Sequence, residues 1–135
     1  MSLFPQAPSP AAALSAIPTG SNAPSPASPY FLIFFASVEE STGKSWCPDC
    51  VRVEPTIEQH VPQARSSLIY VGQRADWKSP ENAFRQAFGL KGVPTIVRVE
   101  SSADQGSLQA HIASAPKLVE GEILDEAKLK DFLRI

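Results

Sequence analysis

Charge is missing from the start of this 135-residue chain: no acidic or basic side chain occurs before Glu39. Cysteine is scarce, and two residues cannot build a disulfide-dense secreted scaffold. A basic excess is lacking as well. The formal net charge is −2 and the sequence pI ≈ 5.6, whereas nucleic-acid phosphates require a basic face. No apolar run approaches the roughly 18 residues of a membrane-spanning helix; the longest, Tyr30–Ala36, has seven. Neither nucleic acid nor membrane is therefore expected as a partner. Only two histidines occur, His60 and His111, and a lone Cys-x-x-Cys supplies half of the ligands that a zinc site needs. No metal is expected, and both histidines read as ordinary surface residues. A Gly-x-Gly-x-x-Gly dinucleotide fingerprint is also absent, so no bound nucleotide cofactor is expected.

Proline is what the chain has in excess. Seven of its thirteen prolines lie in the first 29 residues, and the other six are spread at an ordinary frequency. Residues 1–29 read as a Pro/Ala/Ser-rich arm, flexible or loosely docked, ahead of a domain spanning 30–135. The arm has neither a basic flank nor an uninterrupted apolar stretch, so a secretory signal is not expected. One short helix fits within it, over Pro10–Ile17, with Ser9 as cap and Pro10 at the first helical position, where a missing N–H is harmless.

The domain alternates strands and helices. Tyr30–Ala36 predicts a strand buried on both faces. After the loop Ser37–Ser45, Asp49–Val61 predicts a helix with Val53, Ile57 and Val61 on one face, kinked at Pro55. Leu68–Val71 predicts a strand, and Gly72–Glu81 is polar. Glu81–Phe88 predicts a helix stopped by Gly89. Thr95–Val99 and Lys117–Val119 predict two more strands, and Asp125–Ile135 an amphipathic helix. This order describes an α/β sandwich.

Both cysteines fall in the segment Trp46-Cys47-Pro48-Asp49-Cys50, between the buried strand and its helix. Cys47 is expected at the helix N-terminus, where unpaired N–H groups favour a thiolate and make it a nucleophile near neutral pH. Cys50 follows one turn later, placed to attack a mixed disulfide formed at Cys47. Pro48 stiffens the step between them. A permanent structural disulfide would close too small a loop to stabilise much, so a redox-active pair is the expectation.

Trp46-Cys47-x-x-Cys50 after a buried strand, Pro55 five residues on, and Val93-Pro94-Thr95 entering the next strand together resemble the thioredoxin family over 30–135. A narrower resemblance, to the 14-kDa thioredoxin-related proteins, rests on Gly43-Lys44-Ser45-Trp46-Cys47-Pro48-Asp49-Cys50 and on the segment Asp76–Arg85. The resemblance implies a thioredoxin-like fold, a central mixed sheet flanked by helices. It implies a cis peptide before Pro94, packed against the cysteines, and a Val93 backbone that pairs with substrate. Gly121 resembles a family glycine that lets a partner approach. A cytoplasmic protein-disulfide reductase is implied, with electrons from NADPH through thioredoxin reductase as partner. Its substrates would be small disulfides such as cystine, or selected protein disulfides.

The sequence departs from the family in three respects. The loop Ser37–Ser45 is longer, and the N-terminus supports only a short, proline-broken version of the family's first strand and helix. Tyr30–Ala36 holds no acid to accept the Cys50 proton. Asp49 ranks first as a tuning group, ahead of Glu39 and Glu40, with Lys44 able to offset its charge. The long loop Ser37–Ser45 should form a rim that restricts bulky disulfides. Trp46 reads as a shield and substrate platform, and Trp77, Phe84 and Phe88 as structural. Two other roles are open: a redox-responsive binding or regulatory module with little turnover, and a peroxide-handling or redox-sensing protein.

Overall fold

The apolar run forms the central strand of the sheet. In the computed structural model, which describes residues 4–101 and 105–135, β1 (Tyr30–Phe35) is flanked by β2 (Ser66–Tyr70) and β3 (Thr95–Val99). β4 (Lys117–Val119) completes the order β2-β1-β3-β4. β1 runs parallel to β2, placing Phe34 beside Ile69. It runs antiparallel to β3, placing Phe34 beside Thr95, and β4 is antiparallel to β3. All six residues of β1 are buried, as its lack of polar alternation requires.

The parallel β1–β2 pair needs a crossover, and α2 (Pro48–His60) supplies it. Cys50, Val53 and Ile57 form its buried stripe. Pro55 lies inside α2 without ending it, because its neighbours Val53 and Ile57 are held in the core. Two helices follow β2: α3 (Arg74–Lys78), within the stretch read as merely polar, and α4 (Ala83–Phe88). α4 starts two residues later than expected because Asn82 caps it, accepting from the N–H groups of Phe84 (3.0 Å) and Arg85 (3.2 Å). Gly89 ends it in the left-handed conformation at φ 64°, as a helix-stop glycine does. Trp77, Phe84 and Phe88 are all buried, with Arg85 stacked 4.0 Å over the Trp77 ring.

Beyond β3 comes α5 (Gln105–Ser114), a helix the sequence reading lacks. Leu108 and Ile112 anchor it, and the Lys117 ammonium donates to the carbonyls of Ile112, Ala113 and Ala115 at its C-terminal end. α6 (Glu126–Leu133) closes the domain through Leu129, Phe132 and Leu133, with Asp125 as its cap.

The N-terminal arm differs from its compositional reading as a loose segment. Leu68 of β2 donates to the Pro5 carbonyl at 2.7 Å and accepts from the Ala7 N–H at 3.0 Å, so the arm covers a strand edge that would otherwise be free. α1 (Pro10–Ala16) is capped by Ser9, whose hydroxyl accepts from the Ala12 N–H at 3.1 Å. Phe4, Ala7, Ala13, Leu14 and Ile17 join the same core as the sheet. Farther along, the Arg65 guanidinium donates to the carbonyls of Asn22 and Ser28, each at 2.7 Å.

Candidate active site

The crossover from β1 into α2 carries both cysteines, because a parallel strand pair directs its connecting helix N-terminus toward the end of the sheet. Cys47 is the N-cap residue of α2 and Pro48 its first helical residue. Both thiols are free and buried, Cys47 with 8% of its surface exposed and Cys50 with none. Cys47 is thus the one within reach from outside. Its thiol caps no N–H of α2 and instead points at the Val93 carbonyl, 3.6 Å away. The Val93–Pro94 peptide is cis, and both residues are buried. The structure thereby brings Cys47, Cys50, Val93 and Pro94 together.

Cys50 sits deeper. Burial pushes its thiol pKa well above the ordinary value, and the neighbouring Cys47 acts in the same direction. The Ala36 N–H, 3.5 Å from the Cys50 sulfur, and the Ser45 hydroxyl pull the other way. Ser45 is central to this corner: it donates to the Ala36 carbonyl at 2.8 Å and accepts from the Cys47 N–H at 3.5 Å.

Trp46 is held beside the pair by its indole N–H, which donates to the Gly72 carbonyl at 2.9 Å, and by Arg74, 5.1 Å over its ring. Gly72 has φ 112°, a conformation that favours glycine. Asp49 forms an ion pair with Arg52 on the exposed side of the first turn. Loop 37–45 is a small hairpin with a bridge between Val38 and Ser45, carrying Glu39 and Glu40 at its outer part. Gly121 lies in the 3-10 turn Glu120–Leu124, with open space around its α-carbon. His111 accepts from the Glu100 N–H at 3.3 Å and is half-buried, so it is no simple surface residue. Among the described residues no group of three or more His, Cys, Asp or Glu is placed to hold a metal ion.

Sequence reasoning passed over Glu54, Tyr70 and Gly72. Glu54 is four residues past Cys50 on α2, a spacing that puts both on one helix face. That spacing is the signal that was available. Gly72 and Tyr70 meet the site only through the fold.

A mixed four-stranded sheet, a cysteine pair opening the crossover helix and a cis-proline loop facing it together define a thioredoxin-fold thiol protein. Comparison with known sequences narrows this. The thioredoxin domain of the thioredoxin domain-containing protein 17-like family matches residues 20–126. The thioredoxin-like protein Clot of Arabidopsis thaliana is 39% identical over 95 residues, 66% of this chain and 71% of that protein. Thioredoxin domain-containing protein 17 of Epinephelus coioides is 46% identical over 70 residues, 48% of this chain and 56% of its own length. The Mus musculus protein of that name is 36% identical over 92 residues, 60% of this chain and 75% of its own. The chain belongs to the thioredoxin domain-containing protein 17-like family, and with it to proteins of thiol redox function.

Proposed function

We propose that the protein is a thiol-disulfide oxidoreductase that reduces small or selected disulfides through Cys47 and Cys50. The observation that carries this reading is the unequal burial of the two thiols at one helix N-terminus. Cys47 is marginally accessible beside the cis-proline loop, and Cys50 is fully enclosed one turn behind it. An entering disulfide meets Cys47 first. Its sulfur attacks, one substrate thiol leaves, and a mixed disulfide remains. Cys50 then attacks the Cys47 sulfur, releases the second substrate thiol and leaves the protein pair oxidised.

Val93 and Pro94 form the wall against which the substrate lies, with the Val93 backbone as its pairing edge. Trp46 and Pro48 shape the platform beside Cys47, and Asp49 lends a negative rim. The hairpin 37–45 narrows the approach for bulky protein disulfides. No cofactor is bound in this scheme. Electrons come from NADPH through thioredoxin reductase, in the cytoplasm.

A coupled assay tests the reading. With NADPH, thioredoxin reductase and cystine, the protein should consume NADPH, and Cys47→Ser should not. Insulin should be reduced more slowly than cystine. Insulin reduced as fast as cystine would remove the rim from the explanation. A reactive Cys47 thiol without NADPH consumption would instead favour a regulatory binding module.

A further inference from the structure

Beside Ser45, whose hydroxyl also acts on the Cys50 thiol, lies a pocket of about 180 Å³. Ser45 and Lys44 line it from the hairpin, Glu54 from α2 and Tyr70 from the end of β2; Phe35 and Val51 supply apolar wall. The volume is ample for several water molecules, and the polar side chains supply the two to four partners that a water needs. Glu54 stands one helical turn beyond Cys50 on the same face. The Ser45 hydroxyl ties the cysteine segment to the end of β1, accepting from the Cys47 N–H and donating to the Ala36 carbonyl.

Resolution requires that Cys50 lose a proton in a place that disfavours its thiolate. Within β1 there is no acid, because all six residues are apolar or aromatic. Asp49, the nearest acid in sequence, is engaged with Arg52 outside.

We propose that Glu54 accepts the Cys50 proton across this pocket, through the Ser45 hydroxyl and the water it holds, with Tyr70 and Lys44 fixing the carboxylate's surroundings. The inference rests on the oxidoreductase reading above. In the step itself, the Cys50 proton passes to Glu54 and the resulting thiolate attacks the Cys47 sulfur. The Cys47–Cys50 bond forms and the bond from Cys47 to the substrate sulfur breaks. That sulfur leaves with the electron pair and takes up a proton. Over the cycle the substrate disulfide is reduced and the protein dithiol oxidised. Lys44 of the hairpin and Tyr70 of β2 share this pocket with Glu54, and Tyr70 feels the charges of both Glu54 and Cys50. Burial raises the Tyr70 pKa, and the charges of Glu54 and Cys50 raise it further, so its hydroxyl stays a neutral donor through the working range.

The test uses the full chain and an aromatic disulfide, 5,5′-dithiobis(2-nitrobenzoate), whose two thiolates are released one after the other. The first release reports attack by Cys47 and the second reports resolution by Cys50. Glu54→Gln should slow the second release about a hundredfold at pH 7, in line with the loss of a general base. The deficit should shrink as pH rises and hydroxide takes over, and Glu54→Asp should recover most of the rate. A Glu54→Gln second release with the rate and pH profile of the unaltered protein would overturn the role of Glu54. A single release from the unaltered protein would instead overturn the two-cysteine reading on which it rests. A general loss of fold in the Gln variant would appear in the far-ultraviolet spectrum, and the Asp variant then decides: a normal pH profile supports the carboxylate, and one shifted like that of a carboxylate-free protein opposes it.

Discussion

At the scale of single residues, the site depends on groups whose importance lies in what they hold. Gly72 is the clearest. Its carbonyl accepts from the Trp46 indole (2.9 Å) and the Ser37 N–H (3.2 Å), and its own N–H donates to the Ser37 hydroxyl at 2.9 Å. A Cβ at this position would lie 2.8 Å from the Asp76 Cβ, on a backbone at φ 112°. Gly72→Ala is expected to lower stability by about 1–3 kcal/mol and to leave Trp46 more open to acrylamide quenching. Denaturant titration and fluorescence check both. Trp46→Phe keeps a ring but removes the indole donor, and should cost about 1 kcal/mol. Cys47, Cys50 and Pro94 could be read from their spacing because a motif written in consecutive residues survives without a fold. Glu54 offered only its four-residue spacing from Cys50, and Tyr70 and Gly72 offered nothing, since strand end and turn meet the site only after β2 is paired.

At the scale of elements, the strands were the most legible part. β3 and β4 occupy the segments expected and β1 ends one residue early, because continuous apolar runs leave few alternatives. β2 starts two residues before and ends one residue before its expected bounds, since the buried Ser66 and Ser67 extend it beyond the apolar run. α3 and α5 escaped for physical reasons. α3 has five residues, too few to show a period. α5 presents only Leu108 and Ile112 to the core over its described side chains, a stripe too thin to stand out. The arm misled by composition: its prolines and small residues resemble a flexible segment, yet its few apolar side chains find a strand edge and a helix pair to pack on. Ile17 is 3% exposed, and Ile17→Ala is expected to cost about 2–4 kcal/mol within a single unfolding transition. A cost of a few tenths of a kcal/mol, or an early separate transition, would mean that the arm contributes little to the fold.

At the scale of the whole molecule, both cysteines are part of the same buried core as the sheet, so stability and thiol chemistry are linked through protons. The reduced protein holds Cys50 protonated well above the pH at which an unfolded cysteine ionises. The unfolded chain therefore loses that proton first as pH rises. Stability of the reduced form should fall above about pH 9, by up to about 1.4 kcal/mol per pH unit, and Cys50→Ser should abolish that part of the decline. On the acid side, Arg134 and Arg98 hold the Glu100 carboxyl below its usual range. Their contribution is present at neutral pH and fades as pH falls below the ordinary carboxylate value, so Glu100→Gln should flatten the acid limb measured by thermal unfolding. Among the described residues no helix is long and apolar enough to cross a membrane, and the fold is built around the one crossover that presents the thiols. The most direct measurement on that crossover is the intact mass of Cys50→Ser after exposure to cystine. The variant should gain one cysteinyl group, held at Cys47 because no second thiol removes it, while Cys47→Ser gains none. A Cys47→Ser protein that is cysteinylated as readily at Cys50 would contradict the assignment of Cys47 as the attacking thiol.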